Sequence, residues 1–269
     1  KPAGGVTAGP AKPVATPKTV PPELVWRGPR IVNPTEHFRA EVDDIWARSY
    51  WGETGVIIRD GAQTAIQNGY SGSTLLNLQK YAKQIPEDAG EYISDEARLA
   101  LRAVGQEMTA RVVHAPLSTR TLYRGVSYSD ETLRSLREGS NMNLPLSSFG
   151  TRETAETYAF SGDMSYLPKS MRPYDGDNPV IFKLQEGAKA EFIRTPGDAE
   201  WVSFGQFKIV NVMKLHDADL GDYTEIEIKH IGLQAKNPPL KEAIEKSTDV
   251  VEIKNLMKQK HNLVFTDFD

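Results

Sequence analysis

Apolar residues recur at helical spacing in three segments of the first half of the chain. The stripes are, in order, Phe38, Val42, Ile45 and Trp46; Leu75, Leu78, Ala82 and Ile85; and Leu101, Val104, Met108 and Val112. Pro86 ends the second predicted helix, and Ser94 is placed to cap the third, with Asp95 and Glu96 in its first turn. Stripes of this kind are typical of helices that bury one face, so we expect all three in a core.

Beyond residue 120 the pattern changes to that of strands. Six runs predict strands, at residues 122–126, 144–149, 180–184, 191–193, 207–215 and 223–231. Ser129 and Thr151 are candidate N-caps of short helices between them, and residues 161–178, rich in Gly, Pro, Asp and Ser, predict an exposed loop. Helices followed by strands with short connections predict an α+β fold, with a helical lobe at 23–116 and a mainly antiparallel β core at 117–231.

The two ends of the chain differ from this central region, 23–231. Residues 1–22 contain six prolines among Ala, Gly, Val and Lys, a composition that predicts a linker and a tether to a larger polypeptide. Residues 232–269 predict a charged helical extension after Pro238 and Pro239, to which the sequence assigns no role.

Composition argues against several classes of function. The net charge of −4 argues against a broad nucleic-acid surface, and the absence of Cys removes disulfides and thiolate metal sites. The five His are scattered without ligand spacing, so we expect no metal. We see no apolar run long enough for a membrane span, no signal-peptide pattern, and no glycine-rich phosphate loop of the common types.

Three short motifs lie at or near predicted strands. Arg124, followed by Gly125, lies near the end of the first strand, where a guanidinium can fork onto a diphosphate and Gly125 permits close approach to the backbone. Ser148 precedes Phe149 at the end of the second strand, where its hydroxyl can orient a ribose hydroxyl or a carboxylate. Each also has a plainer interpretation: a solvent-exposed arginine at a strand edge, and a serine paired with local backbone.

Asp198 and Glu200 form the third motif, in a predicted turn. If that segment is extended, residues two apart point the same way, so both carboxylates can face one site. Paired carboxylates with separate roles are typical of glycosidic-bond chemistry. The alternative is a solvated acidic turn.

In this order and strand context, the three motifs resemble those of the arginine–serine–glutamate class of mono-ADP-ribosyltransferases, which includes bacterial toxins and phage-encoded enzymes. The resemblance covers about residues 30–231 and implies an ADP-ribosyltransferase fold with a two-sheet β core. It further implies NAD as the substrate, a target protein of a host or victim cell as partner, and secretion or delivery by a virion into the cytoplasm of that cell. A nucleic-acid acceptor fits the acidic balance less well.

The resemblance also implies roles residue by residue. Arg124, with Gly125, would hold the NAD phosphates; Ser148, with Phe149, would contact the nicotinamide-side ribose and position Glu200. Glu200 would stabilise the cation formed as nicotinamide leaves, and Asp198 would orient the acceptor. The chain departs from the family pattern twice: Gly150 stands where a second serine is usual, and Asp198 where Glu or Gln is usual.

The sequence therefore predicts an NAD-dependent mono-ADP-ribosyltransferase, with arginine on a target protein as acceptor. Two alternatives stay open. An NAD glycohydrolase would use the same residues with water as acceptor, and a non-catalytic phage structural module would leave them as ordinary surface.

Overall fold

The computed structural model describes residues 19–50, 52–70, 74–87, 91–160, 176, 178–194, 199–233 and 265–266. The helices are α1 (Arg39–Ser49), α2 (Gly52–Asn68), α3 (Leu75–Tyr81), α4 (Asp95–His114), α5 (Asp130–Ser135) and α6 (Arg152–Phe160). The strands are β1 (Leu122–Tyr128), β2 (Asn141–Phe149), β3 (Asn178–Leu184), β4 (Glu191–Arg194), β5 (Ala199–Asp217), β6 (Gly221–Gly232) and β7 (Phe265–Thr266). Short 3₁₀ turns occupy Pro22–Leu24, Glu36–Phe38 and Ala82–Gln84.

The four N-terminal helices form a lobe in which α2 and α4 pack almost backbone to backbone. A Cβ atom added to Gly61 of α2 would lie 2.2 Å from the carbonyl oxygen of Arg102, and one added to Gly105 of α4 would lie 1.8 Å from that of Ile58. Glycine is therefore required at both positions for this contact. The same glycines weaken the helical pattern of the sequence, which is why α2 did not emerge from the apolar spacing.

In the described part of the chain, all the strands join one hydrogen-bonded sheet in the order β1-β3-β6-β5-β2-β7, with β4 beside β5. Among the strands that the structure describes, only β3 and β6 pair in parallel. The 19-residue β5 links two halves, because its first part pairs with β4 and the end of β2 while its later part pairs with β6. Gly205, with φ +122°, lies between them.

These elements confirm the predicted α+β class, a helical lobe followed by a mainly antiparallel β core. The predicted N-caps are present, since Ser94 accepts from the Ala97 N–H at 3.1 Å, Ser129 from Thr132 at 3.2 Å and Thr151 from Thr154 at 3.3 Å. One boundary was wrong: the segment with Glu200 is not a turn but the start of β5. Nearly all of loop 161–178 and the helices expected after residue 238 lie outside the described residues.

Two apolar cores meet at the ends of β2 and β5. One lies inside the helical lobe and takes in Leu146, Val202 and Phe204 from the sheet. The other lies within the β-rich half and includes Phe149 and Phe207. Because side chains of a strand alternate in direction, β2 and β5 contribute to both cores, and the residues between them lie at the junction.

Candidate active site

The structure brings together Arg124, Ser148 and Glu200, which we call the triad. Ser148 Oγ donates to Glu200 Oε1 at 2.5 Å, which is short and typical of a hydroxyl bonded to a carboxylate. Arg124 Nη1 donates to the carbonyl oxygen of Ser148 at 3.0 Å. The antiparallel pairing of β2 with β5 places Ser148 opposite Val202, so Glu200 lies two residues away along β5, on the same side. Three strands distant in sequence thus meet at one point.

Glu200 has a second partner, which comes from the helical lobe. Trp46 Nε1 on α1 donates to the same oxygen, Oε1, at 2.9 Å. The Trp46 side chain is fully buried in the helical core. Its place in an apolar stripe predicted only packing, whereas the indole N–H reaches the carboxylate.

Tyr50, four residues after Trp46 and just past the end of α1, contacts the other two members of the triad. Its hydroxyl oxygen accepts from Arg124 Nη1 at 3.4 Å and from the backbone N–H of Ser148 at 3.3 Å. It lies 3.4 Å from the carbonyl oxygen of Leu146, to which it donates. Trp46 and Tyr50 also stack on each other, with ring centroids 4.3 Å apart. Trp46 of α1 and Tyr50, the residue that follows the helix, therefore contact every residue of the triad between them.

A second arginine, Arg59 of α2, lies against Tyr50. Its Nη1 donates to the Tyr50 carbonyl oxygen at 3.4 Å, and its guanidinium lies 5.2 Å from the centre of the ring. Its buried Nε has no hydrogen-bond partner among the residues that the structure describes. Burial lowers the pKa of the Arg59 guanidinium; Tyr50 opposes that shift, and nearby Arg124 adds to it.

The pKa of the Tyr50 hydroxyl reflects the positive charge that surrounds it. Burial raises the pKa of the Tyr50 hydroxyl, but the charges of Arg124 and Arg59, together with the hydrogen bonds from Arg124 and the Ser148 N–H, hold that pKa below its ordinary value. Two guanidinium groups around one buried hydroxyl form a locally positive environment, which favours an anionic ligand.

Two of the sequence-predicted binding residues do not face the triad. A Cβ atom on Gly125 would lie 1.8 Å from the carbonyl oxygen of Ala155 in α6, so the group that approaches this glycine is a helix of the protein itself. Phe149 is 1% exposed and packs in the β-rich core, with its ring centroid 6.5 Å from that of Phe207. Packing accounts for both residues, and their contact with a dinucleotide stays a prediction.

Asp198, predicted to orient the acceptor, lies outside the described residues. Among the described ones, no group of three or more His, Asp or Glu side chains is arranged to hold a metal ion. Over the same part of the chain, no helix combines the length and apolarity needed to cross a bilayer.

Sequence reasoning missed Trp46, Tyr50 and Arg59. The first two carried a signal, since two aromatic residues with polar tips stand four apart on one predicted helix. Arg59 carried none, because its helix escaped prediction and only packing brings it to Tyr50.

Comparison with known proteins adds structural likenesses only. No protein-family model matches the chain, and no curated protein does. Among solved structures, the Vis toxin, an ADP-ribosyltransferase from Vibrio splendidus, is 18% identical with a TM-score of 0.39, over 77% of this chain and 91% of that one. The SpvB ATR domain from Salmonella is 13% identical with a TM-score of 0.38, over 72% of this chain and 98% of its own.

Exoenzyme S from Pseudomonas aeruginosa, solved with human 14-3-3 protein beta and carba-NAD, is 12% identical. Its TM-score is 0.35, over 80% of this chain and 94% of its own. All three identities are below 20% and all three TM-scores are below 0.4.

Proposed function

We propose that this chain is an NAD-dependent mono-ADP-ribosyltransferase that moves ADP-ribose from NAD to a macromolecular acceptor. The observation that carries the proposal is the 2.5 Å hydrogen bond from Ser148 Oγ to Glu200 Oε1, with Arg124 bonded to the Ser148 carbonyl at 3.0 Å. A fixed carboxylate beside a hydroxyl and an arginine supplies the parts that cleavage of a dinucleotide at its sugar needs. It also fits the motif order that resembles the arginine–serine–glutamate class.

Arg124 and Arg59 would hold the diphosphate of NAD. Both guanidinium groups converge on Tyr50, where Arg59 has only carbonyl and ring contacts in the described part of the chain. A diphosphate would offset their mutual repulsion, and a planar guanidinium can bind two phosphate oxygens at once. Binding of the diphosphate would place the attached ribose beside Ser148 and Glu200.

Glu200 would act on the sugar. The bond between the ribose C1′ and the nicotinamide nitrogen breaks, and its electron pair leaves with nicotinamide. The ribose then carries positive charge shared between C1′ and the ring oxygen. A carboxylate fixed nearby stabilises this charge, which is present mainly in the transition state, and the barrier falls. The acceptor then attacks C1′ and releases a proton to solvent; no step of this scheme draws on a metal ion.

The acceptor we propose is arginine on a target protein of a host or victim cell, reached after secretion or delivery by a virion. This rests on Asp198, which keeps the charge of the usual glutamate with one methylene less. Residues 1–22 would tether the domain, 23–231, to a larger polypeptide, and 232–269 would be an extension beyond it. An anionic side chain would hold the guanidinium of the acceptor close to C1′. Attack on C1′ then starts from a bound pair and needs no further encounter in solution.

Incubation with labelled NAD and a cell lysate tests the proposal. We expect label on protein with the wild type, and a fall of about 10²–10³-fold with Glu200→Gln, by analogy with the loss of one group that stabilises transition-state charge. Glu138→Gln is the matched control, because Glu138 is exposed on the surface. Absence of transfer, with Glu200→Gln indistinguishable from wild type, would refute the proposal. Mass spectrometry of the labelled protein then locates the modified residue.

The same experiment separates the alternatives. Free ADP-ribose at high turnover without labelled protein would select the NAD glycohydrolase, which the shorter Asp198 favours. Failure to bind NAD in calorimetry would select the non-catalytic structural module.

A further inference from the structure

We propose that Trp46 is a positioning residue for Glu200: its indole N–H fixes the carboxylate through Oε1. The inference deepens the proposed function and rests on it. Trp46 Nε1 lies 2.9 Å from Oε1, and Ser148 Oγ lies 2.5 Å from the same atom. Two donors from different elements define the plane of the carboxylate, because each fixes one direction at that oxygen.

The two donors differ in how firmly they are held. Ser148 has a single hydroxyl proton on a group that rotates, so a hydroxyl turned towards a ribose no longer donates to Glu200. The indole of Trp46 is fully buried in the helical core and stacked on Tyr50 at 4.3 Å, so its N–H cannot turn elsewhere without disrupting that packing. Trp46 therefore keeps Glu200 oriented while Ser148 engages the substrate.

Helix α1 is itself fixed at two positions that precede this contact along the helix. Asp43, nearly one turn before Trp46, forms a buried ion pair with Arg111 of α4. Arg39, at the start of α1, bonds Glu191 of β4 at 2.7 Å. Strand β4 pairs with the segment of β5 that carries Glu200, with Ile193 opposite it.

Consequently the helix is joined to the sheet at two places: Arg39 bonds Glu191 of β4, and Trp46 bonds Glu200 of β5, the strand beside it. The ion pair between Arg39 and Glu191 holds the geometry of the hydrogen bond between Trp46 and Glu200, because α1 cannot shift along the sheet without breaking that ion pair. Glu200 Oε1 is thus occupied, and Oε2 has no hydrogen-bond partner among the described residues. Oε2 is the oxygen left to meet the ribose.

The test removes the N–H and keeps the shape. β-(3-Benzothienyl)alanine, in which sulfur replaces the indole nitrogen, is introduced at position 46 by codon suppression. The matched control carries it at position 26, where the Trp26 N–H donates instead to the Pro29 carbonyl at 2.8 Å. The rate of nicotinamide release from NAD is measured for both, with agmatine as a small guanidinium acceptor, and Tm is recorded.

We expect the change at position 46 to lower kcat by about tenfold or more, with KM for NAD within about threefold, because a hydrogen bond to a charged group that matters in the transition state is lost. The change at position 26 should leave both constants unaltered. Trp46→Phe is the second variant and should show the same loss of kcat, with a lower Tm from lost packing.

Three results would refute the proposed role of Trp46. Equal kcat for the analogue at positions 46 and 26 overturns the role of Trp46 and leaves the proposed function standing. A rise in KM at unchanged kcat also overturns it, since that pattern reports lost ground-state binding. An inactive wild type, with neither nicotinamide release nor label transfer, overturns the proposed function and the role of Trp46 with it.

Discussion

On each of three strands, a triad residue and the residue that follows it face opposite sides of the sheet and make different kinds of contact. The pairs are Arg124 and Gly125 on β1, Ser148 and Phe149 on β2, and Glu200 and Trp201 on β5. The first member of each pair joins the polar contacts of the site, and the second packs on a helix or in the β-rich half. Because side chains alternate in direction along a strand, adjacent residues divide the polar contacts of the site from the packing contacts that stabilise the fold.

The largest difference between two adjacent residues is expected on β2, where one substitution should lower stability and the other should lower the rate of nicotinamide release. Phe149→Ala removes a ring that is 1% exposed and should lower the free energy of unfolding by about 3–5 kcal/mol. Ser148→Ala, one residue earlier, should cost at most about 1.5 kcal/mol of stability but reduce nicotinamide release, because Glu200 loses its hydroxyl donor. Urea denaturation and initial rates measure the two effects; equal stability losses for both variants would contradict the separation.

On β1 the expected effect is somewhat smaller. Gly125→Ala places a Cβ atom 1.8 Å from the Ala155 carbonyl oxygen, so α6 must move, at a cost of about 2–3 kcal/mol. Gly232→Ala is the control, because its Cβ would meet its nearest neighbour at an ordinary 3.8 Å. Thermal unfolding compares them. If Gly125→Ala were as stable as the control and weakened only NAD binding, Gly125 would belong to the dinucleotide site after all.

His230 extends the comparison to pH, since it lies in the β-rich half away from the triad. Its Nδ1 accepts from the Lys189 N–H at 3.1 Å, and its Nε2 donates to the Gly232 carbonyl at 3.0 Å, so the ring is neutral. Burial lowers the pKa of His230 to about 4 from an ordinary 6.5, and the charge of Lys189 contributes.

The unfolded chain therefore binds a proton at His230 more readily than the folded chain does. The free energy of unfolding falls as the pH drops below about 6.5 and levels off once the pH is below the folded-state pKa of about 4. The loss attributable to His230 is about 2 kcal/mol at pH 5. His230→Asn, whose amide oxygen can accept where Nδ1 does and which does not titrate, should flatten the decline between pH 7 and pH 5. Urea titrations at both pH values measure it, and an unchanged decline in the variant would exclude His230 as its cause.

The smallest effect is expected at Arg59, which contacts Tyr50 but no carboxylate in the described part of the chain. Arg59→Gln should weaken NAD binding by about fivefold, close to 1 kcal/mol, and leave folding nearly unaltered. Arg102→Gln is the control, because Arg102 pairs with Asp60 at 3.0 Å on the surface. Calorimetry with NAD distinguishes them; a similar affinity for both variants would remove Arg59 from the phosphate site.

Much of the fold followed from patterns that are local in the chain. Apolar spacing predicted α1, α3 and α4, and the caps at Ser94, Ser129 and Thr151 were correct because a capping hydroxyl bonds a backbone group only three residues away. Helix α2 was missed because its glycines serve a contact with α4 that the sequence does not display. The start of β5 was missed because Pro196 and Gly197 suggested a turn reaching Glu200.

By itself the sequence determined the α+β order of elements and supplied Arg124, Ser148 and Glu200 as candidates, since residue types and local periodicity are written along the chain. Tertiary structure alone decided that these three meet, that Trp46, Tyr50 and Arg59 join them, and that Gly125 and Phe149 pack elsewhere. The physical reason is that strand register and helix docking are set by packing between distant segments, as Ser148 and Glu200 are 52 residues apart and Trp46 and Glu200 are 154 apart. Such distant pairings leave no local trace in the pattern of apolar and polar residues.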